Sequence, residues 1–135
     1  MSLTLVIFGA SGDLTARKLV PALFSLSVKG RLPEEARVVG VARTPLSDGA
    51  FRARLASTAR EAAGGAWNPG AWDAFARRLH YVPGDAARPE GLQPLQAWLR
   101  DHEGPGEHQR LYYLAVAPPL YGPIATRLGE AGLSR

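Results

Sequence analysis

What most constrains this chain lies in its first thirty residues. Leu3-Thr4-Leu5-Val6-Ile7-Phe8 is a largely apolar run closed by Gly9, and from Asp13 the apolar period changes. Leu14, Leu19, Ala22, Leu23 and Leu26 then recur at helical spacing, with Gly30 as a stop. A short apolar run bounded by glycine reads as a strand buried on both faces, as in a sheet with helices on either side. Pro21 falls inside the helical pattern and removes a backbone bond there, so a kink is expected.

The alternation continues. Val38-Val39-Gly40-Val41-Ala42 reads as a second buried strand, ended by Arg43-Thr44-Pro45. Ser47 or Asp48 caps a helix carrying Phe51, Leu55 and Ala59, and Gly64-Gly65 breaks it. After the turn at Asn68-Pro69-Gly70, Trp72, Phe75, Ala76 and Leu79 fit another short helix. His80-Tyr81-Val82 is a third strand ending at Gly84-Asp85, and Leu92, Leu95, Trp98 and Leu99 mark the next helix. Beyond a polar loop at 103–106, Leu111 to Val116 is the fourth strand, with Ile124, Leu128 and Ala131 on a final helix. Strands alternating with helices imply parallel strands joined by right-handed crossovers. The expected architecture is α/β: a Rossmann-like doubly wound parallel sheet of about four strands with flanking helices. Arg135 follows a helix at the point where a fifth strand would begin, so the sheet is expected to be incomplete and part of a larger protein.

Composition narrows the function classes. A length of 135 residues suits one domain, read as a dinucleotide-binding domain over residues 1–135. With no cysteine there is no disulfide scaffold, thiolate metal site or cysteine nucleophile. The apolar runs fall short of the roughly 18 residues that span a bilayer, and the amino terminus has no basic region or cleavage signature. A soluble cytoplasmic domain without membrane contact is therefore expected. The net charge of +4 comes mostly from arginine, since Lys18 and Lys29 are the two lysines. The arginines are scattered, with no basic tract and no aromatic-interleaved basic strand, which argues against nucleic-acid binding. His80, His102 and His108 include no i, i+4 pair, so no metal site is expected. Asp101 with His102, or Ser11 with Asp13, lacks the third orienting group that hydrolytic chemistry needs. Trp72 and Trp98 lie on apolar helix stripes and read as core.

The chemistry points to the segment Gly9-Ala10-Ser11-Gly12-Asp13-Leu14-Thr15, between first strand and first helix. Gly9 permits a tight turn and Gly12 the close approach of a pyrophosphate. The following helix end offers unpaired N–H groups and a positive dipole, to which Ser11 and Thr15 add hydroxyl donors. The spacing is G-x-x-G, not G-x-G-x-x-G, and Thr15 stands where a small residue is expected. The strand–turn–helix context thus carries the reading. Arg43 is the second clue. Folds that bind a ribose 2′-hydroxyl place an acid at the end of the second strand, and no acid lies between Val38 and Pro45. A guanidinium there can clasp a 2′-phosphate bidentately, which points to NADP. Without the glycine turn, a solvated strand-end arginine would be the simpler reading.

Three motifs resemble one family. Gly9-Ala10-Ser11-Gly12-Asp13-Leu14, followed by Arg17-Lys18 and Pro21, resembles the amino-terminal motif of the glucose-6-phosphate 1-dehydrogenases. Gly40-Val41-Ala42-Arg43 looks like the family's second-strand motif, and Tyr113 to Tyr121 is similar to its fourth-strand segment. The motifs fall in order over essentially the whole chain. Ala117 departs from the pattern, because many members carry the first of two prolines there.

The resemblance implies roles. Gly9 through Ala16 would wrap the NADP phosphates, and Arg43 would meet the 2′-phosphate. Asp85 and Ala86 would lie beside the adenosine, Tyr121 near the cofactor, and Lys18 toward the cofactor and sugar phosphate. The implied reaction oxidises glucose 6-phosphate to 6-phosphogluconolactone with hydride transfer to NADP, the first step of the pentose phosphate pathway. The family's Glu-Lys-Pro and Asp-His-Tyr motifs, which carry sugar-phosphate binding and the base, are not found in these residues. The chain is therefore expected to contain no catalytic residue and to bind cofactor without turnover, with pairing of subunits left to a second, substrate domain. The alternatives are a stand-alone NADP-sensing module without dehydrogenase activity, and a fold relic that has lost binding. A short-chain-type reductase would need a Tyr-x-x-x-Lys pair, which does not occur.

Overall fold

Strands with apolar residues on both faces must sit inside a layered sheet, and the computed structural model has that architecture. It describes residues 2–10, 12, 15–33, 35–103 and 108–133. In chain order these form β1 (Ser2–Phe8), a π-helical turn (Thr15–Leu19) running into α1 (Val20–Val28), β2 (Arg37–Ala42), α2 (Asp48–Ala63), α3 (Pro69–Ala76), β3 (Leu79–Pro83), α4 (Gln93–Glu103), β4 (His108–Leu114) and α5 (Tyr121–Glu130).

The four strands are all parallel, in the order β3-β2-β1-β4. The chain thus steps outward from β1 to β3 and then crosses back to the far side of β1. That reversal creates a switch point between β1 and β4, and a crevice opens at the carboxyl ends of the strands on either side of it.

β1, β2 and β3 send alternate side chains to two cores, and β4 contributes to the second alone. Ile7 and Val38 pack with Phe24, Phe51, Leu55 and Phe75 beneath α1, α2 and α3. Val6, Phe8, Val39 and Val41 pack with Leu95, Leu99, Ile124 and Leu128 beneath α4 and α5. Ser47 caps α2, its hydroxyl accepting from the Ala50 N–H at 3.1 Å, and Asn68 caps α3 in the same way at Ala71. Trp72 is buried, with Trp67 and Phe24 around it. Trp98, by contrast, is only partly buried and stacks on His102 at 4.1 Å.

Pro21 falls where the helical path changes its winding: a π-helical turn ends at Leu19 and α1 begins at Val20, so the break in regular α-helix lies just before the proline that cannot donate. Two local expectations change. Leu79 opens β3 instead of continuing α3. β4 spans His108–Leu114, starting before Leu111 and ending before Val116.

Candidate functional site

Everything at the crevice begins with Gly9. The last β1 residue, Phe8, accepts the Ala115 N–H at 2.9 Å, so β1 and β4 stay paired to the point where they part. Gly9 then turns with φ of 81°, in the left-handed region that favours glycine. A Cβ there would stand 2.1 Å from the Ala115 carbonyl oxygen, so β4's extension leaves no room for a side chain. Its own N–H donates to the Val41 carbonyl at 2.9 Å, tying the turn to β2.

The rest of the turn closes on the Gly9 carbonyl. It accepts the Gly12 N–H at 3.0 Å and the Thr15 hydroxyl at 3.2 Å. Thr15 is fully buried, so its hydroxyl fastens the turn from within. Ala10 is also buried. Its methyl lies over Gly40, where a Cβ would come within 2.5 Å of it. Gly12 differs from Gly9. It is exposed, and a Cβ on it would meet only the Gly9 oxygen, at 3.3 Å. Packing therefore does not demand glycine at 12; a bare backbone beside the crevice gains from it.

The crevice has a volume of about 230 Å³. Gly9 and Gly12 border it on one side, and Ala42, Arg43 and Thr44 follow from the end of β2. Gly84, Asp85, Ala86 and Ala87 come from the end of β3, and Ala115, Val116, Leu120 and Ile124 close the α5 side. Arg43 is exposed and forms no ion pair among the described residues. The Asp85 carboxylate folds back on its own loop, accepting the Ala87 N–H at 3.1 Å. Gly91 comes so close under that loop that a Cβ would lie 1.5 Å from the Asp85 carbonyl.

The structure thus brings Gly9, Gly12, Arg43, Asp85 and Ala86 to one crevice. Ala10 and Thr15 lie beneath it as support. Lys18 is exposed on the turn leading to α1, and Tyr121 is exposed at the start of α5; neither lines the crevice. Ala16 belongs to the π-helical turn. Ser11, Asp13 and Leu14 lie outside the described residues. Sequence reasoning missed the apolar wall of Val116, Leu120 and Ile124, and missed Thr44 and Ala87. Only the spacing of Leu120 and Ile124 on one helical face hinted at that wall. Among the described residues no group of three or more His, Asp or Glu side chains could hold a metal ion.

A glycine turn that leaves backbone bare at the switch point of a parallel sheet suits the phosphates of a dinucleotide. The comparison with known families agrees. Residues 6–135 match the model described as glucose-6-phosphate dehydrogenase, NAD binding domain. The chain belongs to the glucose-6-phosphate dehydrogenase family. It is 42% identical to glucose-6-phosphate 1-dehydrogenase of Aggregatibacter actinomycetemcomitans over 97% of its length and 26% of that protein. It is 36% identical to the Schizosaccharomyces pombe enzyme over 97% of its length and 27% of that protein. The crystal structure of glucose-6-phosphate 1-dehydrogenase from Mycobacterium avium superposes with a TM-score of 0.84 at 30% identity, over 98% of this chain and 27% of that one. The chain therefore spans about a quarter of the length of the curated relatives it matches. Within the glucose-6-phosphate dehydrogenase family this segment is the nucleotide-cofactor domain, and no helix among its described residues is long and apolar enough to cross a membrane.

Proposed function

We propose that residues 1–135 form the NADP-binding domain of a cytoplasmic glucose-6-phosphate 1-dehydrogenase. The observation that carries the reading is the meeting of the glycine turn, the exposed Arg43 and the Gly84–Ala87 loop at one crevice. Gly9 and Gly12 keep the backbone bare for the cofactor's phosphates, and Ser11, Asp13, Leu14 and the turn through Ala16 continue that cradle. Arg43 donates to the 2′-phosphate, its guanidinium drawing on no carboxylate of the described residues. Asp85 and Ala86 border the adenosine.

Bound there, the cofactor supplies the hydride acceptor for oxidation of the C1 hydroxyl of glucose 6-phosphate to the lactone. Lys18, exposed on the turn before α1, serves the cofactor and the sugar phosphate, and Tyr121, exposed at the start of α5, serves the cofactor from outside the crevice. The base and most of the sugar-phosphate site belong to a substrate domain in the other three quarters of the family's length, through which subunits also pair. These 135 residues accordingly bind NADP⁺ without turnover.

Calorimetric titration with NADP⁺ and NAD⁺ tests the reading. NADP⁺ is expected to bind more tightly. Arg43→Ala should remove that preference by about tenfold or more, the size of a lost charge-assisted hydrogen-bond pair. Equal binding of both cofactors, unchanged in the variant, would reject it.

A further inference from the structure

Arg43 is exposed, so its accuracy as a recognition group depends on the backbone that carries it. The five residues between β2 and α2 include Pro45, which has no N–H and cannot fasten the loop by donating. The bonds that fasten the stretch around Arg43 are made through carbonyls. Two are held, one on each side of Arg43. The Ala42 carbonyl accepts the Gly84 N–H at 2.8 Å, and the Thr44 carbonyl accepts the Tyr81 hydroxyl at 2.6 Å. Arg43 is therefore bracketed by two peptides whose orientation is set by β3 and the loop that follows it.

Tyr81 is itself held on several sides. It is buried, its ring packs on Phe51 with centroids 4.9 Å apart, and its N–H donates to the Asp48 carboxylate at 2.7 Å. Phe51 in turn lies over Gly40, beside the Ala10 methyl of the glycine turn. A continuous stack thus joins the glycine turn to the Arg43 loop from beneath.

We infer that Tyr81 is a positioning residue for 2′-phosphate recognition, acting through the Thr44 carbonyl without touching the cofactor. This rests on the proposed role of Arg43. Without the hydroxyl, the Thr44 peptide is free to turn and Arg43 loses its preset direction. Part of the binding free energy then goes into ordering the loop. NAD⁺, which has no 2′-phosphate, should not register the change.

The test is calorimetric titration of the chain, Tyr81→Phe, Arg43→Ala and the double variant with NADP⁺ and with NAD⁺, with thermal melts to check folding. Tyr81→Phe should keep a cooperative melt, weaken NADP⁺ by about three- to tenfold and leave NAD⁺ within twofold. In the Arg43→Ala background it should add nothing, because the two residues act as one unit. Equal weakening of both cofactors, no weakening, or an additive effect in the double variant would overturn the positioning role while leaving Arg43 standing. Absence of any NADP⁺ preference in the unaltered chain, or its survival in Arg43→Ala, would remove the Arg43 reading and this inference with it.

Discussion

At the β3 edge of the sheet, the Tyr81 N–H ends on the Asp48 carboxylate at 2.7 Å and the Leu79 carbonyl accepts from Arg52 Nε at 2.8 Å. At the β4 edge, Leu111 and Tyr113 stand 57% and 41% exposed, and no side chain among the described residues caps their backbone. The seal at β3 works because two spacings agree. Residues i and i+4 of a helix lie roughly 6 Å apart along its axis, close to the rise of two strand residues. Asp48 and Arg52 on α2 therefore meet alternate polar groups of the antiparallel-running β3. β4 is instead held from its face: Arg110 forms a bidentate pair with Glu103 at the end of α4, and the Tyr112 hydroxyl donates to the Leu133 carbonyl at 2.5 Å. The difference is that α2 side chains consume polar groups along β3, whereas no side-chain bond among the described residues does so for Leu111 or Tyr113 of β4. An edge whose polar groups are consumed by charged side chains resists pairing, and an apolar open one invites it.

The largest effect should come from removing the support beneath β4. Glu103→Ala leaves the half-buried Arg110 guanidinium without its acid and should cost about 3 kcal/mol, read from urea unfolding. A loss below about 1 kcal/mol would mean that β4 is held by apolar packing alone. Next comes the sealed edge. Asp48→Ala strips an acceptor from the Tyr81 N–H and from His80 Nδ1, and about 2 kcal/mol should be lost. If that variant were as stable as the parent, the seal would be ornamental. The smallest effect is expected at the open edge. Leu111→Lys should change stability by less than about 0.5 kcal/mol while lowering any self-association seen by sedimentation. A large destabilisation there would show that the exposed leucine is packed after all.

Much of the fold was legible because it is written locally. The four strands, the caps at Ser47 and Asn68 and the glycine turn each announce themselves within a few residues. Pro21 marked where regular α-helix is interrupted, but a proline does not announce the form of the interruption, here a π-helical turn leading into α1. The apolar run at Leu111–Val116 reads as a strand, but nothing in it says that the strand lies at an edge. An edge strand shows one of its faces to solvent however apolar it is, and Leu111 and Tyr113 point that way. At the site, Gly9, Gly12 and Arg43 were readable from spacing, since each sits next to a strand end. The Tyr81–Thr44 and Asp48–Tyr81 bonds were not, because partners 37 and 33 residues apart meet only once the crossover is built.

Gly40 has a consequence for how this sequence can change over generations. Its bare Cα is approached by the Ala10 methyl and the Phe51 ring together, from the glycine turn and from α2. Enlarging it would need room made at two distant positions simultaneously, and neither of those changes helps alone. Single substitutions cannot cross such a gap. The three buried residues should therefore persist or be replaced as a set, making Gly40 a slow-moving point of the core.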